Sequence, residues 1–148
     1  PFFDLDSEIV RLDGNQPDAR SVYRHLGRDG FVDLEARAAA ELAARRGAVI
    51  AAGGGTIDNE RAMGVLSASS VTVFLDVPID VLVGRVFRHG VPAFVDADRP
   101  EASFREICAH RRRACLARSD WVVDAGTKTP MEIIDAVRTY VEENVIGW

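Results

Sequence analysis

The 148-residue chain predicts an α/β fold, a three-layer α/β/α arrangement with helices on both faces of a central parallel sheet. Three observations point there. Strand candidates alternate with helix candidates along the whole length, a pattern whose right-handed crossovers leave the strands parallel. The residues with chemistry to offer follow strand ends, where ligands of open α/β sheets gather. No repeat, low-complexity tract or linker interrupts the chain, and a 47% hydrophobic composition can fill one core, so residues 1–148 are expected to form a single domain.

Phe2 to Leu5 is a short apolar strand bordered by acids, and Ser7 to Leu12 the helical turn after it. Gly14 to Gln16 form a loop and Pro17 makes a fresh start. Asp33 to Arg46 has the composition of a strong helix former, with Gly47 placed to end it. Ala48 to Ala52 reads as a buried strand running into three glycines, Asn59 to Ser67 as a helix, and Val71 to Val77 as a β-branched strand stopped by Pro78. Asp80 to Phe87 is the next helix, and residues 88–100, polar with Gly90, Pro92 and Pro100, are the best loop candidate. Glu101 to Ala117 is helical, Trp121 to Val123 a last strand, and Pro130 to Val145 a closing helix. In that helix Ile133, Ile134, Val137, Tyr140, Val141 and Val145 recur as an apolar face. Trp121 is expected in the core and Trp148 at a frayed end.

A net charge of −5 disfavours a bulk electrostatic nucleic-acid binder, which needs a basic surface. The run Arg111-Arg112-Arg113 reads as a solvated helix face, in which only Arg111 is assigned a role. Cys108 and Cys115 lie about 10 Å apart along a helix, too far for a disulfide, which suits a reducing cytoplasm. His25, His89 and His110 lack metal-ligand spacing with either cysteine, which argues against zinc. No signal peptide or long apolar span is visible, so neither export nor membrane insertion is expected. The chain opens with Pro1 directly in a strand, as if its beginning were missing.

Asp4 and Asp6 follow the first strand, where alternation would point both to the same side. Such a pair can hold magnesium, take a proton from a hydroxyl, or bond sugar-like hydroxyls; alternatively one of them caps the next helix. Gly53-Gly54-Gly55 lets a ligand lie against bare backbone and offers it amide groups, where a plain turn would need one glycine. Thr56 could cap the helix beyond.

Taken in order, these residues resemble the shikimate kinase family, a small branch of the P-loop kinases. The resemblance covers nearly the whole chain. It rests on Phe3-Asp4-Leu5-Asp6, on Gly27 through Glu35, on Gly53-Gly54-Gly55, on the unit from Val71 to Arg85, on Arg111 with Ser119 to Asp124, and on Asp124 to Pro130. It implies a P-loop-kinase-like fold and ATP-dependent phosphorylation of a hydroxyl on shikimate or a similar small hydroxy acid, a step of aromatic amino-acid biosynthesis. ATP and Mg2+ would be required. A cytoplasmic monomer acting on small molecules, with no nucleic-acid or membrane partner, is expected. The resemblance gives Asp6 the substrate hydroxyls and the attacking proton, and Asp4 a magnesium ion through water. Gly53, Gly54 and Gly55 would line the substrate pocket, and Arg111 would pair with the substrate carboxylate, a task suited to a forked guanidinium. Arg85 and Pro130 would flank the adenine, Arg88 would reach the nucleotide from the lid loop 88–100, and Glu35 would orient neighbouring groups.

The sequence departs from the family in three places. G-x-x-x-x-G-K-[ST] does not occur in it, and its single lysine is Lys128. Val32 and Val91 stand where the family has arginines. These residues alone are therefore expected to bind ATP weakly and to transfer no phosphoryl group. Besides the kinase, two other readings remain: a catalytically impaired ligand-binding module, favoured by the two valines, and a kinase of the same fold for another metabolite.

Overall fold

The computed structural model describes residues 1–92 and 94–145. Trp148 lies outside them. The chain divides into two compact units, Pro1–Ser70 and Val71–Trp148.

In the first unit, β1 (Phe2–Asp4) leads straight into α1 (Leu5–Asp13). α2 (Ala19–Ala43), β2 (Val49–Ala51), a 3₁₀ turn at Thr56–Asp58 and α3 (Glu60–Ser67) follow. β1 and β2 pair in parallel, Phe2 opposite Val49 and Asp4 opposite Ala51. The strand expected to reach Leu5 stops at Asp4, because the Asp4 carboxylate takes the Ser7 N–H at 2.8 Å and starts the helix there. Leu5 is thus the first helical residue, fully buried, and with Ile9 one turn on it presents an apolar edge. These two pack on Val22, Leu34, Ala38, Ala39 and Leu42 of α2 and on Ala62 and Leu66 of α3, forming the core of this unit.

α2 begins fourteen residues earlier than the expected Asp33 start, at Ala19 behind its Asp18 cap. Gly27 breaks it at φ 70°, ψ −178°, a conformation closed to other residues. The helix ends at Ala43 rather than Arg46, where the Arg45 N–H turns back to the Leu42 carbonyl, and Gly47 serves the turn into β2 at φ 60°. β2 was expected to be buried; instead Val49 is 66% exposed, with Ile50 and Ala51 half-buried.

In the second unit, β3 (Val73–Asp76) is followed by α4 (Ile79–Val86) and a 3₁₀ turn at Phe87–His89. Then come α5 (Pro100–Arg118), β4 (Trp121–Asp124) and α6 (Pro130–Asn144). β3 and β4 pair in parallel from Val73 opposite Trp121 to Asp76 opposite Asp124. The expected parallel pairing therefore holds, but among the described residues the ladders form two separate pairs instead of one continuous sheet. The 88–100 loop is shorter than expected at both ends. Arg88 belongs to the 3₁₀ turn, and Pro100, whose missing N–H costs nothing at a helix start, opens α5.

α6 starts with a reciprocal cap, Thr129 Oγ1 accepting from the Glu132 N–H and the Glu132 carboxylate from the Thr129 N–H. Its expected apolar face is only partly covered: Ile133, Val137 and Tyr140 are half-buried, while Ile134 is 54% exposed. Trp121 is half-buried rather than core, stacked on Tyr140 with ring centroids 4.4 Å apart. Gly126 is required by close approach, since a Cβ there would collide with the Pro78 ring at Cδ. No described helix is long and apolar enough to cross a membrane.

Candidate active site

The end of β1 and the start of α1 place two acids in succession, though not as a strand would. Asp4 is committed to the helix cap, and Asp6 sits in the first turn of α1, exposed at the surface. The expectation of two acids on one strand face is corrected accordingly: one acid belongs to the strand end and the other to the helix. They still influence each other. Although solvent reaches the side chain, partial desolvation of its carboxyl by the surrounding protein, together with the negative charges of Asp4 and Glu35, pushes Asp6 above its ordinary value. A carboxylate whose proton affinity is raised is a better base toward a hydroxyl.

Glu35, carried inward by α2 and 6% exposed, is held by two side chains. Thr56 Oγ1 donates to its Oε1 at 2.8 Å and Asn59 Nδ2 to its Oε2 at 2.8 Å. Asn59 also donates to the Val32 carbonyl at 2.9 Å, and its Oδ1 accepts the Ala62 N–H at 3.2 Å, capping α3. One amide thus ties the buried acid to both helices. Thr56, expected as a helix cap, opens the 3₁₀ turn and serves Glu35 instead; Asn59 is the cap. Sequence reading assigned no role to Asn59, although a polar residue directly before Glu60 and the apolar run beyond it is a cap signal. Among the described residues, every buried side-chain nitrogen and oxygen has a partner.

The glycine triplet adjoins this network. A Cβ built on Gly53 would lie 3.6 Å from Asp6 Oδ1 and 3.8 Å from Thr56 Oγ1, and one on Gly54 would meet nothing within 4 Å. None of the three glycines adopts a left-handed φ, so backbone strain does not explain the triplet. What it provides is bare main chain beside a carboxylate.

The structure therefore gathers Asp4, Asp6, Glu35 and Gly53 in the first unit. The remaining candidates stand on separate elements of the second. Arg111 is half-buried on α5, its Cζ 5.3 Å from the centroid of Phe94. Burial pushes the neighbouring Cys108 thiol up, against the opposing charge of Arg111. Arg112, assigned no role from the sequence, makes a bidentate pair with Asp76 at the end of β3, at 2.8 and 2.7 Å. Arginine runs read as solvated faces, and nothing in the sequence marks Asp76 as a partner. Arg85 is exposed in the last turn of α4, and Arg88 Nε donates to the Gly84 carbonyl at 2.7 Å. Pro130 is the exposed first residue of α6. Val32 is half-buried and Val91 is 51% exposed; neither side chain can pair with an anion.

Among the described residues, no group of three or more His, Cys, Asp or Glu side chains is placed to hold a metal ion. An ion such as Mg2+ keeps much of its water shell and needs only one or two carboxylates. Asp4 can take part, because its cap bond uses one of several carboxylate lone pairs.

A family model described as shikimate kinase matches residues 1–142. The shikimate kinase of Aquifex aeolicus (strain VF5) is 26% identical over 147 residues, covering 99% of this chain and 84% of that protein. That of Baumannia cicadellinicola is 35% identical over 144 residues, covering 97% and 82%. Among solved structures, shikimate kinase from Acinetobacter baumannii in complex with shikimate matches with a TM-score of 0.85 at 21% identity, over 99% of this chain and 80% of that one. The Aquifex aeolicus crystal structure matches with a TM-score of 0.76 at 25% identity, over 100% and 84%.

Proposed function

The chain belongs to the shikimate kinase family, and from that premise we propose that the full-length protein transfers the terminal phosphoryl group of ATP to a hydroxyl of shikimate or a closely similar hydroxy acid, turnover requiring a phosphate cradle that residues 1–148 do not themselves supply. The observation that carries this reading to particular residues is the constellation of Asp6, Gly53 and the buried Glu35 at the end of β1. Asp6 takes the proton from the attacking hydroxyl. Asp4 and Glu35 favour that transfer by their charge, and the glycines let the substrate ring approach the main chain. Arg111 pairs with the substrate carboxylate. Arg85, Arg88 and Pro130 meet the nucleotide. Asp4 would hold Mg2+ through water, and the ion would neutralise phosphate charge during transfer. We read residues 1–148 as one kinase domain, with 88–100 as its lid loop. We read the protein as a cytoplasmic monomer; the spacing of Cys108 and Cys115, too long for a disulfide, suits a reducing compartment, and the acidic net charge argues against a nucleic-acid partner.

Val32 and Val91 favour a second reading, a catalytically impaired ligand-binding module. A kinase of the same fold for another metabolite is the third. Coupled ADP-release assays of the full-length protein with ATP and a panel of hydroxy acids separate them. The highest kcat/KM on shikimate supports the first reading, saturable binding of an acid without turnover the second, and a clear preference for another acid the third.

A further inference from the structure

We propose that Thr56 is a positioning residue for the phosphoryl acceptor, its buried hydroxyl fixing the main chain of Gly53, Gly54 and Gly55 against Asp6. This rests on the reading of Asp6 and the glycine triplet as the acceptor pocket. Thr56 directly follows the triplet and ties it to the rest of the first unit. Its N–H donates to the Gly53 carbonyl at 3.0 Å, closing a turn over the glycines. Its Oγ1 donates to Glu35 Oε1 on α2 at 2.8 Å, and its carbonyl accepts the Asn59 N–H at 2.9 Å. Asn59 Nδ2 donates to the other Glu35 oxygen, so the buried acid is gripped at both oxygens by the segment that the triplet leads into.

The same hydroxyl borders the pocket. The point to which a Gly53 side chain would project lies 3.8 Å from Thr56 Oγ1 and 3.6 Å from Asp6 Oδ1, so hydroxyl and carboxylate flank one side of the bare backbone. A β-branched residue has few χ1 choices, and a hydrogen bond to a buried carboxylate selects among them. Thr56 is therefore a stiff link from α2 to the glycines. Releasing its hydroxyl lets the triplet shift relative to Asp6, and an acceptor ring resting on that main chain shifts with it. The backbone turn needs only an N–H at this position; the hold on Glu35 needs the hydroxyl.

The test is steady-state kinetics of the full-length protein with ATP and shikimate, or with the hydroxy acid of the panel that it prefers, and thermal melts to confirm that each variant folds. All variants at position 56 keep the backbone N–H, so the series reports on the side chain. Thr56→Val, close in shape but without the hydroxyl, lowers kcat/KM for the acid about ten- to hundredfold, the scale of a small misplacement of a reactant, and leaves KM for ATP unchanged. Thr56→Ser returns the hydroxyl and recovers most of the loss. If an unpaired Glu35 oxygen keeps the valine variant from folding, Thr56→Ala, which leaves room for a water at the carboxylate, gives the same readout. A lowered Tm with unchanged kinetics, an equal loss toward ATP, a serine variant no better than valine, or failure of both the valine and alanine variants to fold marks a purely structural threonine and overturns the proposal. If Asp6→Asn abolishes turnover and loss of the Thr56 hydroxyl does not lower it, the proposal alone fails. If Asp6→Asn turns over normally, or the unsubstituted protein phosphorylates none of the acids, the acceptor pocket falls and the proposal with it.

Discussion

Asp6 and Gly53 show how little separates a structural residue from a chemical one. Asp4, two positions earlier, is bound to a backbone N–H and has a structural task, while Asp6 has no backbone duty and carries a raised proton affinity. Asp6→Asn should therefore lower turnover about 10²- to 10⁴-fold with little change in nucleotide affinity. Steady-state kinetics showing near-normal turnover would remove the base from this position. Gly53→Ala is a subtler change. The new methyl finds ordinary contact distances to Asp6 and Thr56 and an unstrained backbone, so stability should stay within about 0.5 kcal/mol while KM for the acid rises. A melt showing strong destabilisation would point to a packing role. The acid doublet and the triplet were visible in the sequence because both residue types are unusual after apolar strands. The division of labour between Asp4 and Asp6 was not, since Leu5 fits a strand end and a helix start equally well and only the cap decides.

At the scale of elements, single polar side chains fasten helices in both units. Asn59 caps α3 and at the same time pairs one oxygen of the buried Glu35. Asn59→Ala should cost about 2–4 kcal/mol in urea unfolding, the sum of a lost cap and a buried acceptor left unpaired. A loss below about 1 kcal/mol would mean that water or Thr56 takes over the bond. In the second unit, the Arg112 fork joins α5 to the end of β3 and holds the Asp76 carboxyl below its ordinary range. Because the native pKa is depressed, the unfolded chain binds the proton first as pH falls. The pair's contribution is thus present above about pH 4 and is lost below it. Asp76→Asn should lower Tm at neutral pH, and the difference should close as the medium becomes strongly acidic. A gap of the same size at about pH 2 would assign the effect to packing. Most helices were legible from composition and punctuation. The early start of α2 was not, because Arg20 to Asp29 mixes charged and apolar residues without a clean period, and its burial depends on packing against α1 and α3 that its own pattern does not reveal.

Across the whole molecule, the buried apolar side chains are unevenly shared. Leu5, Ile9, Val22, Leu34, Leu42 and Leu66 lie in the first unit, whereas the described residues of the second bury Phe104, Val123 and Ala125. Native-state hydrogen exchange should accordingly find the slowest amides in α1 and α2 and faster exchange in α4 and α6. The reverse order would show that exposure in the structure does not govern local opening. The alternation of strands and helices, and hence the α/β class, was readable throughout. The separation into two strand pairs was not, since ladder partners are far apart in sequence and an apolar run does not name its neighbour. Lys128, exposed in the turn ahead of α6, is the single lysine among eighteen basic residues. Every other cation is a guanidinium, inert to acylating reagents, so the chain has one side-chain amine for conjugation and one cleavage site for a lysine-specific protease. A fluorophore or surface tether can be attached there without engineering, two residues ahead of Pro130, which we assign to the nucleotide.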